Sequence, residues 1–271
     1  MRVLLVLGAT LAVVAPSFAP AQQAVGTAPE TEVPTSGAKV WLGRYAEYEE
    51  YLRTAPIERL EDVGQGVTGA KRAFFKPGGL VESAVAKPLR PGRRQAHWES
   101  YKSEIAAYEL DRLLGLDMVP VTVERTVEGA QASVQLWIPG CRKLSQLESQ
   151  KSPNPRKWAK DVGRLRVFDA VIGNIDRNDG NLLIDEDWNI ILIDHSRAFS
   201  ADRMPGEKEI TRLDRKFFAA LKTLDEETVR ERLGPWLFET SIRDLLKRRD
   251  KIVSKLEKLA KEKGSLAVFA F

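Results

Sequence analysis

Apolar residues recur at helical spacing in several stretches of this chain. Leu42, Tyr45, Tyr48 and Leu52 share one face of residues 41–52 and predict a short amphipathic helix. Tyr101, Ile105, Tyr108, Leu110, Leu113 and Leu114 do the same over 98–114, and Gly115 supplies a stop. A third helix is predicted from Asn154-Pro155 to Ile172, where Gly173-Asn174 closes it. Three more follow near the C-terminus: 210–224, a segment from Asp225 stopped by Gly234-Pro235, and a long basic stretch, 241–263. Period-two patterns mark strands at 73–76, 119–126 and 132–138, with Glu128-Gly129 as a turn and Pro139-Gly140 as a break. Two apolar runs, 182–184 and 190–193, flank the acidic turn 185–187 and predict a hairpin. Residues 77–97, rich in Pro, Gly and Arg, read as a long loop whose charges are solvated. The order is a β-rich half with one helix, then a helical half with one hairpin, which is an α+β pattern.

The N-terminus departs from this. Met1-Arg2, an apolar run to Ala15 and Ala19-Pro20-Ala21 describe a signal peptide over 1–21, cleaved after Ala21. The run is short for a membrane span, so a secreted or periplasmic protein without a stable span is expected. Residues 22–38, dominated by Pro, Thr, Gly and Ala, read as a disordered linker. At 271 residues and 43% hydrophobic the chain can bury a full core. Its formal charge of +4 favours acidic ligands such as phosphates without naming one. The basic runs 93–94 and 247–249 are scattered and lack interleaved aromatics, so nucleic acid is not an expected partner. Cys141, the single cysteine, excludes an intramolecular disulfide and reads as a half-buried turn residue.

Candidate chemistry concentrates around the predicted hairpin. Asp176 and Asn181 precede its first strand and Asp194 ends its second. Three oxygen-bearing side chains at the open ends suit a hard divalent cation with a proton acceptor beside it. Upstream, Gly64, Gly66 and Gly69 form a Gly-x-Gly-x-x-Gly. Pro77 soon afterwards leaves no room for the long helix of a dinucleotide fold, and Gly69-Ala70-Lys71-Arg72 fails as a Walker loop. What remains is a hairpin turn whose backbone N–H groups could cover phosphates, or a plain glycine turn. The run Ala73-Phe74-Phe75-Lys76 reads as a strand ending in lysine, with Lys71 as the weaker alternative. Glu104, at the margin of its helix face, could reach such a lysine or be an ordinary surface charge.

Tested together, these features follow one order. Asn181 stands five positions after Asp176, and Asp194 thirteen after Asn181, as in a kinase catalytic loop and metal-binding aspartate. The stretch Glu104-Ile105-Ala106-Ala107-Tyr108-Glu109-Leu110-Asp111-Arg112-Leu113-Leu114-Gly115 with Val119-Pro120 resembles the secretory-pathway kinases, the Golgi casein kinase, xylose kinase and four-jointed group. So do Gly173-Asn174-Ile175-Asp176-Arg177 and Asp194-His195-Ser196-Arg197-Ala198-Phe199. The wider set includes bacterial phosphatidylinositol 3- and 4-kinase-like domains and HipA kinases. The resemblance implies a bilobal protein-kinase-like fold, with an N-lobe over 39–138 and a small helical C-lobe over 139–271. It implies a secreted ATP-dependent kinase acting on a hydroxyl of a protein, sugar or lipid. Asp176 would orient that hydroxyl, and Asn181 and Asp194 would hold Mg²⁺ or Mn²⁺. Lys76 would contact the nucleotide phosphates and pair with Glu104. The glycine turn would cover those phosphates, and the backbone around Gln135 and Trp137 would meet adenine.

The chain departs from the kinase pattern at Asn174, where the catalytic-loop His is missing, and at His195-Ser196, where Phe-Gly is expected. No Ala-Pro-Glu segment follows. Two readings therefore stand beside an active kinase: an inactive nucleotide- or partner-binding fold, and transfer of AMP. A calcium loop starting at Asn174 fails, because Asp179 occupies the glycine position and Asp185 the glutamate position.

Overall fold

The structure, a computed structural model, describes residues 38–64, 69–94, 97–200, 204–269 and 271. The expected signal peptide and nearly all of the expected linker lie outside the described residues. The first helix, α1 (Tyr45–Thr54), turns Tyr48 and Leu52 inward and follows a turn that buries Trp41 completely. Strands β1 (Ile57–Asp62) and β2 (Lys71–Phe75) form a hairpin around the glycine turn. Gly64 and Gly69 both have left-handed φ there, +70° and +62°, and Gly66 lies outside the described residues.

The next stretch corrects the sequence reading. The expected loop 77–97 contains three strands: β3 (Ser83–Lys87), and a short hairpin of β4 (Gly92–Arg94) and β5 (His97–Glu99). Ser83-Ala84-Val85-Ala86-Lys87 carries little hydrophobic signal because its inward residues are alanines. Ala84 and Ala86 are fully buried between β2 and β7, while Val85 and Lys87 face the opposite side of the sheet.

Helix α2 (Tyr101–Leu114) starts three residues later than the pattern suggested. Ser100 caps it, its hydroxyl accepting from the Lys102 N–H at 3.0 Å, and Gly115 ends it in left-handed conformation, φ +58°. Strands β6 (Thr122–Val127) and β7 (Ala130–Leu136) complete a five-stranded antiparallel sheet of order β1-β2-β3-β7-β6, against which α1 and α2 pack.

The second half begins with a two-residue strand, β8 (Arg142–Lys143). Helix α3 (Pro155–Ile172) has the expected ends: the Asn154 side chain accepts from the Lys157 N–H, Pro155 opens the first turn, and Gly173 closes it at φ +64°. Strands β9 (Leu182–Ile184) and β10 (Ile190–Leu192) form the predicted hairpin and pair with β8. Among the described residues four α-helices follow: α4 (Arg215–Thr223), α5 (Glu226–Leu233), α6 (Glu239–Lys263) and α7 (Ser265–Val268). The apolar stripe of α6, from Ile242 to Leu256, is buried, and α6 packs on α3. Among the described residues, no helix is long and apolar enough to cross a membrane.

Candidate active site

A cavity of about 470 Å³ opens between the five-stranded sheet and the β9–β10 hairpin. Val63, Ala70 and Val85 line it from the sheet, Trp137 and Ile138 from the segment after β7, and Leu183 and Ile193 from the hairpin. Lys87, Asp176, Asn181 and Asp194 supply its charged and polar wall, together with Glu99 and Arg197.

At the back of the cavity stands an ion-paired group. Lys87 Nζ lies 2.7 Å from Glu104 Oε1 and 3.0 Å from Asp194 Oδ1. Glu104 is 1% exposed, and its other oxygen, Oε2, accepts the backbone N–H of His195 at 2.9 Å. Burial alone would draw the lysine toward neutrality, but the charges of Glu104 and then Asp194 outweigh it and raise its pKa. Burial likewise opposes ionisation of Glu104, and the Lys87 charge reverses this and holds its pKa well below the usual carboxylate range. Both groups are therefore charged, and each neutralises the other where water is scarce.

This corrects one expected contact. Glu104 does reach a lysine on the sheet, but that lysine is Lys87, not Lys76. Lys76 is exposed in the turn between β2 and β3, against Tyr51 and Pro77, away from the central cavity. Lys71, the other alternative, pairs with Glu128 at the rim of the sheet, 2.6 Å away. The sequence did carry a signal for Lys87. Ala84-Val85-Ala86-Lys87 is a strand ending in lysine, and it follows the glycine hairpin by one further strand, the place a kinase lysine occupies.

The floor is built from the segment before β9. Arg177 makes a two-pronged pair with Asp169 of α3, Nε to Oδ2 at 2.9 Å and Nη2 to Oδ1 at 3.0 Å. Its Nη1 donates to the carbonyls of Asn181 at 2.8 Å and Ile193 at 2.7 Å. One guanidinium thus ties down the backbone at Asn181 and just before Asp194. Asn174 joins the same cluster, donating to Asp169 at 3.0 Å and accepting the Asp176 N–H at 3.2 Å. The residue in the place of the kinase histidine is a buried hydrogen-bonded support, 1% exposed. Asn181 Nδ2 donates to the Asp176 carbonyl at 3.2 Å.

Asp194 has left-handed φ, +60°, which costs a non-glycine residue on the order of 1 kcal/mol. The bonds from Lys87 to its side chain and from Glu104 to the next N–H hold it there. Ser196 Oγ also donates to Asp194 Oδ1, at 3.2 Å. His195 packs edge-on to Phe168, fully buried, with its Nδ1 3.6 Å from Glu104, too far for a hydrogen bond. Burial pushes its pKa down, so the ring is neutral.

Asn181 Oδ1 and Asp194 Oδ2 accept no hydrogen bond among the described residues, and both residues line the cavity. Two hard oxygens of this kind fit a magnesium or manganese ion whose other ligands come from phosphate and water. Among the described residues no group of three or more His, Cys, Asp or Glu could hold a metal without such outside ligands.

Of the residues expected to line the nucleotide site, Gln135 is 7% exposed and donates from Nε2 to Thr122 Oγ1 at 2.9 Å, which ties it to β6. Trp137 carries the Arg72 guanidinium 4.2 Å above its ring, and its backbone N–H donates to the Ser83 carbonyl. Gly64 and Gly69 frame the turn above this wall, next to Val63 and Ala70. Cys141 is half-buried at the cavity edge. Burial, then the charge of Asp185, pushes its thiol up to about 11, which rules it out as a ready nucleophile. Two residues that sequence reasoning passed over also belong to the wall: Glu99, buried on β5, and Arg197.

The fold is that of protein-kinase-like enzymes. A structure of the Golgi casein kinase matches with a TM-score of 0.65 over 83% of this chain and 78% of that one, at 16% identity; it has Mn and ADP bound. The structure of hydra Fam20 with sugar matches at 0.66, covering 83% and 91%, at 18% identity. The Helicobacter pylori proinflammatory kinase CtkA matches at 0.53, covering 79% and 97%, at 14% identity. No protein-family profile matches the sequence, and the search of curated proteins found no match.

Proposed function

We propose that this chain is an ATP-dependent phosphotransferase that carries the γ-phosphate to a hydroxyl group. The observation that carries the reading is the Lys87–Glu104–Asp194 group at the back of a cavity whose floor presents Asp176 and Asn181. Phosphoryl transfer demands charge neutralisation and alignment more than a strong base. Lys87, held in place by Glu104, would contact the nucleotide phosphates. Asn181 and Asp194 would hold the divalent cation. That cation, when bound, neutralises charge between the phosphates. Asp176, 40% exposed at the cavity floor, would orient the acceptor hydroxyl and take its proton. The glycine turn at Gly64 and Gly69 would cover the phosphates, and the backbone from Gln135 through Trp137 to Ile138 would meet the adenine.

The Mn and ADP in the Golgi casein kinase structure support nucleotide and divalent metal as this protein's ligands. The same neighbour, with the leader-like N-terminus, supports membership in the secretory kinase group and action outside the cytoplasm. On this reading 39–138 and 139–271 are the two lobes, and the acceptor is a protein, sugar or lipid hydroxyl. The test is transfer of label from γ-labelled and, separately, α-labelled ATP with Mg²⁺ or Mn²⁺, comparing wild type with Asp176→Ala and Asp194→Ala. Transfer of γ-label that both substitutions abolish is expected. α-Label transfer would make the protein an AMP transferase, and binding without turnover an inactive fold. Absence of nucleotide binding with either metal would sink the reading.

A further inference from the structure

Asp176 has one side-chain partner among the described residues, and that partner is Arg197. The Arg197 guanidinium forks between two carboxylates. Nε and Nη2 lie 2.8 Å and 2.7 Å from Glu99 Oε1, and Nη1 lies 3.2 Å from Asp176 Oδ2. Glu99 is 4% exposed and ends β5, immediately before the cap of α2. The backbone on both sides of Arg197 is pinned to that same cap region. The Ser100 N–H donates to the Ser196 carbonyl at 3.0 Å, and Ser103 Oγ donates to the Ala198 carbonyl at 3.3 Å. Arg197 thus leaves a fixed backbone, is clamped by a buried carboxylate, and offers its remaining edge to Asp176.

We infer that Arg197 is a positioning residue for the transfer step: anchored by Glu99, it holds Asp176 by Oδ2 so that Oδ1 is turned to the acceptor hydroxyl. This rests on the phosphotransferase reading above. The chemistry suits the role. A planar guanidinium can grip two carboxylates at once in fixed directions, which an ammonium cannot. Among the described residues no hydrogen bond or ion pair joins Arg197 or Glu99 to Lys87 or Glu104, so nucleotide binding and acceptor alignment are separable.

The test measures γ-label transfer from ATP to water, dephosphorylated casein, xylose and phosphatidylinositol vesicles, together with nucleotide affinity and melting temperature. Arg197→Gln leaves Glu99 without its cation, so the double variant Glu99→Gln/Arg197→Gln, in which no buried charge is orphaned, is measured beside it. Both should lose about 10- to 100-fold in kcat, the usual cost of a misplaced reacting group, while KM for ATP and nucleotide affinity stay within about twofold. Arg197→Lys should fall between wild type and Arg197→Gln. Millimolar guanidinium should restore part of the activity of Arg197→Ala. Unchanged kcat in the folded double variant, or a loss carried wholly by KM for ATP, overturns the role of Arg197 alone. A wild-type protein that transfers label to none of the four acceptors overturns this role and the phosphotransferase reading together.

Discussion

Replacing Lys87 by Met tests the ion-paired group most directly. Lys87 is 11% exposed and Glu104 1%, so the substitution leaves a carboxylate in the interior with no cation beside it. Its one remaining strong partner is the His195 N–H. Breaking a buried pair in this way costs about 3–5 kcal/mol. In a domain of this size each kcal/mol lowers Tm by about 2–4 °C, so a fall of roughly 6–20 °C is expected. The sign of the pH dependence is diagnostic. In wild type, the Glu104 pKa is depressed on folding, so its contribution is present above its unfolded value of about 4.3 and lost as pH falls toward its folded value. The Lys87 pKa is raised, so its contribution is complete below about 10.4 and lost only as pH rises through its folded value. Both are therefore in force near neutrality. Without Lys87, burial is the main influence on Glu104 and raises its pKa, so the variant should recover stability relative to wild type as pH drops from 7 to 5. Lys87→Met/Glu104→Gln should recover most of the lost stability at pH 7. Calorimetric or fluorescence melting at the two pH values decides it. A Lys87→Met protein that melts within about 2 °C of wild type at both pH values would refute the reasoning.

Two further outcomes follow from other parts of the structure. Lys76→Ala should leave nucleotide affinity and Tm unchanged, because its side chain lies in an exposed turn away from the cavity; isothermal titration with ATP analogues and Mn²⁺ checks this. Asp111 is fully buried under the N–H groups of Met118 and Val119, and burial pushes its pKa up to about 7. A carboxyl raised on folding adds stability that is complete below about pH 3.9 and lost as pH rises toward 7. Asp111→Asn should remove that slope from Tm measured between pH 5 and 8, since the amide keeps the acceptor and carries no charge.

Much of this protein is decided locally and could be read from residue order. Asn154-Pro155, Gly115 and Gly173 set helix ends because caps act over three or four residues. The hairpin carrying Asn181 and Asp194 at its ends is fixed by two apolar runs and an acidic turn, and the five-residue spacing from Asp176 to Asn181 sits within one loop. The partner of Glu104 was not decided locally. Lys71, Lys76 and Lys87 all lie on or beside strands ahead of α2, and the one in the kinase position, Lys87, ends a strand whose hydrophobic signal is too weak to mark it. Sheet register and the packing of α2 choose Lys87, because β3 turns Val85 and Lys87 to the cavity while burying Ala84 and Ala86. Strand β3 itself was hidden, since alanines gain their burial only from the neighbours that cover them. The grip of Glu99 and Arg197 on Asp176 is likewise a tertiary fact: these residues lie 98 positions apart in one pair and come from three separate segments. Residue order alone specifies the main helices, the β9–β10 hairpin and the central loop with its carboxylates. The tertiary structure decided which charges meet, because the energy of an ion pair depends on separation and burial, and neither is a property of residue order.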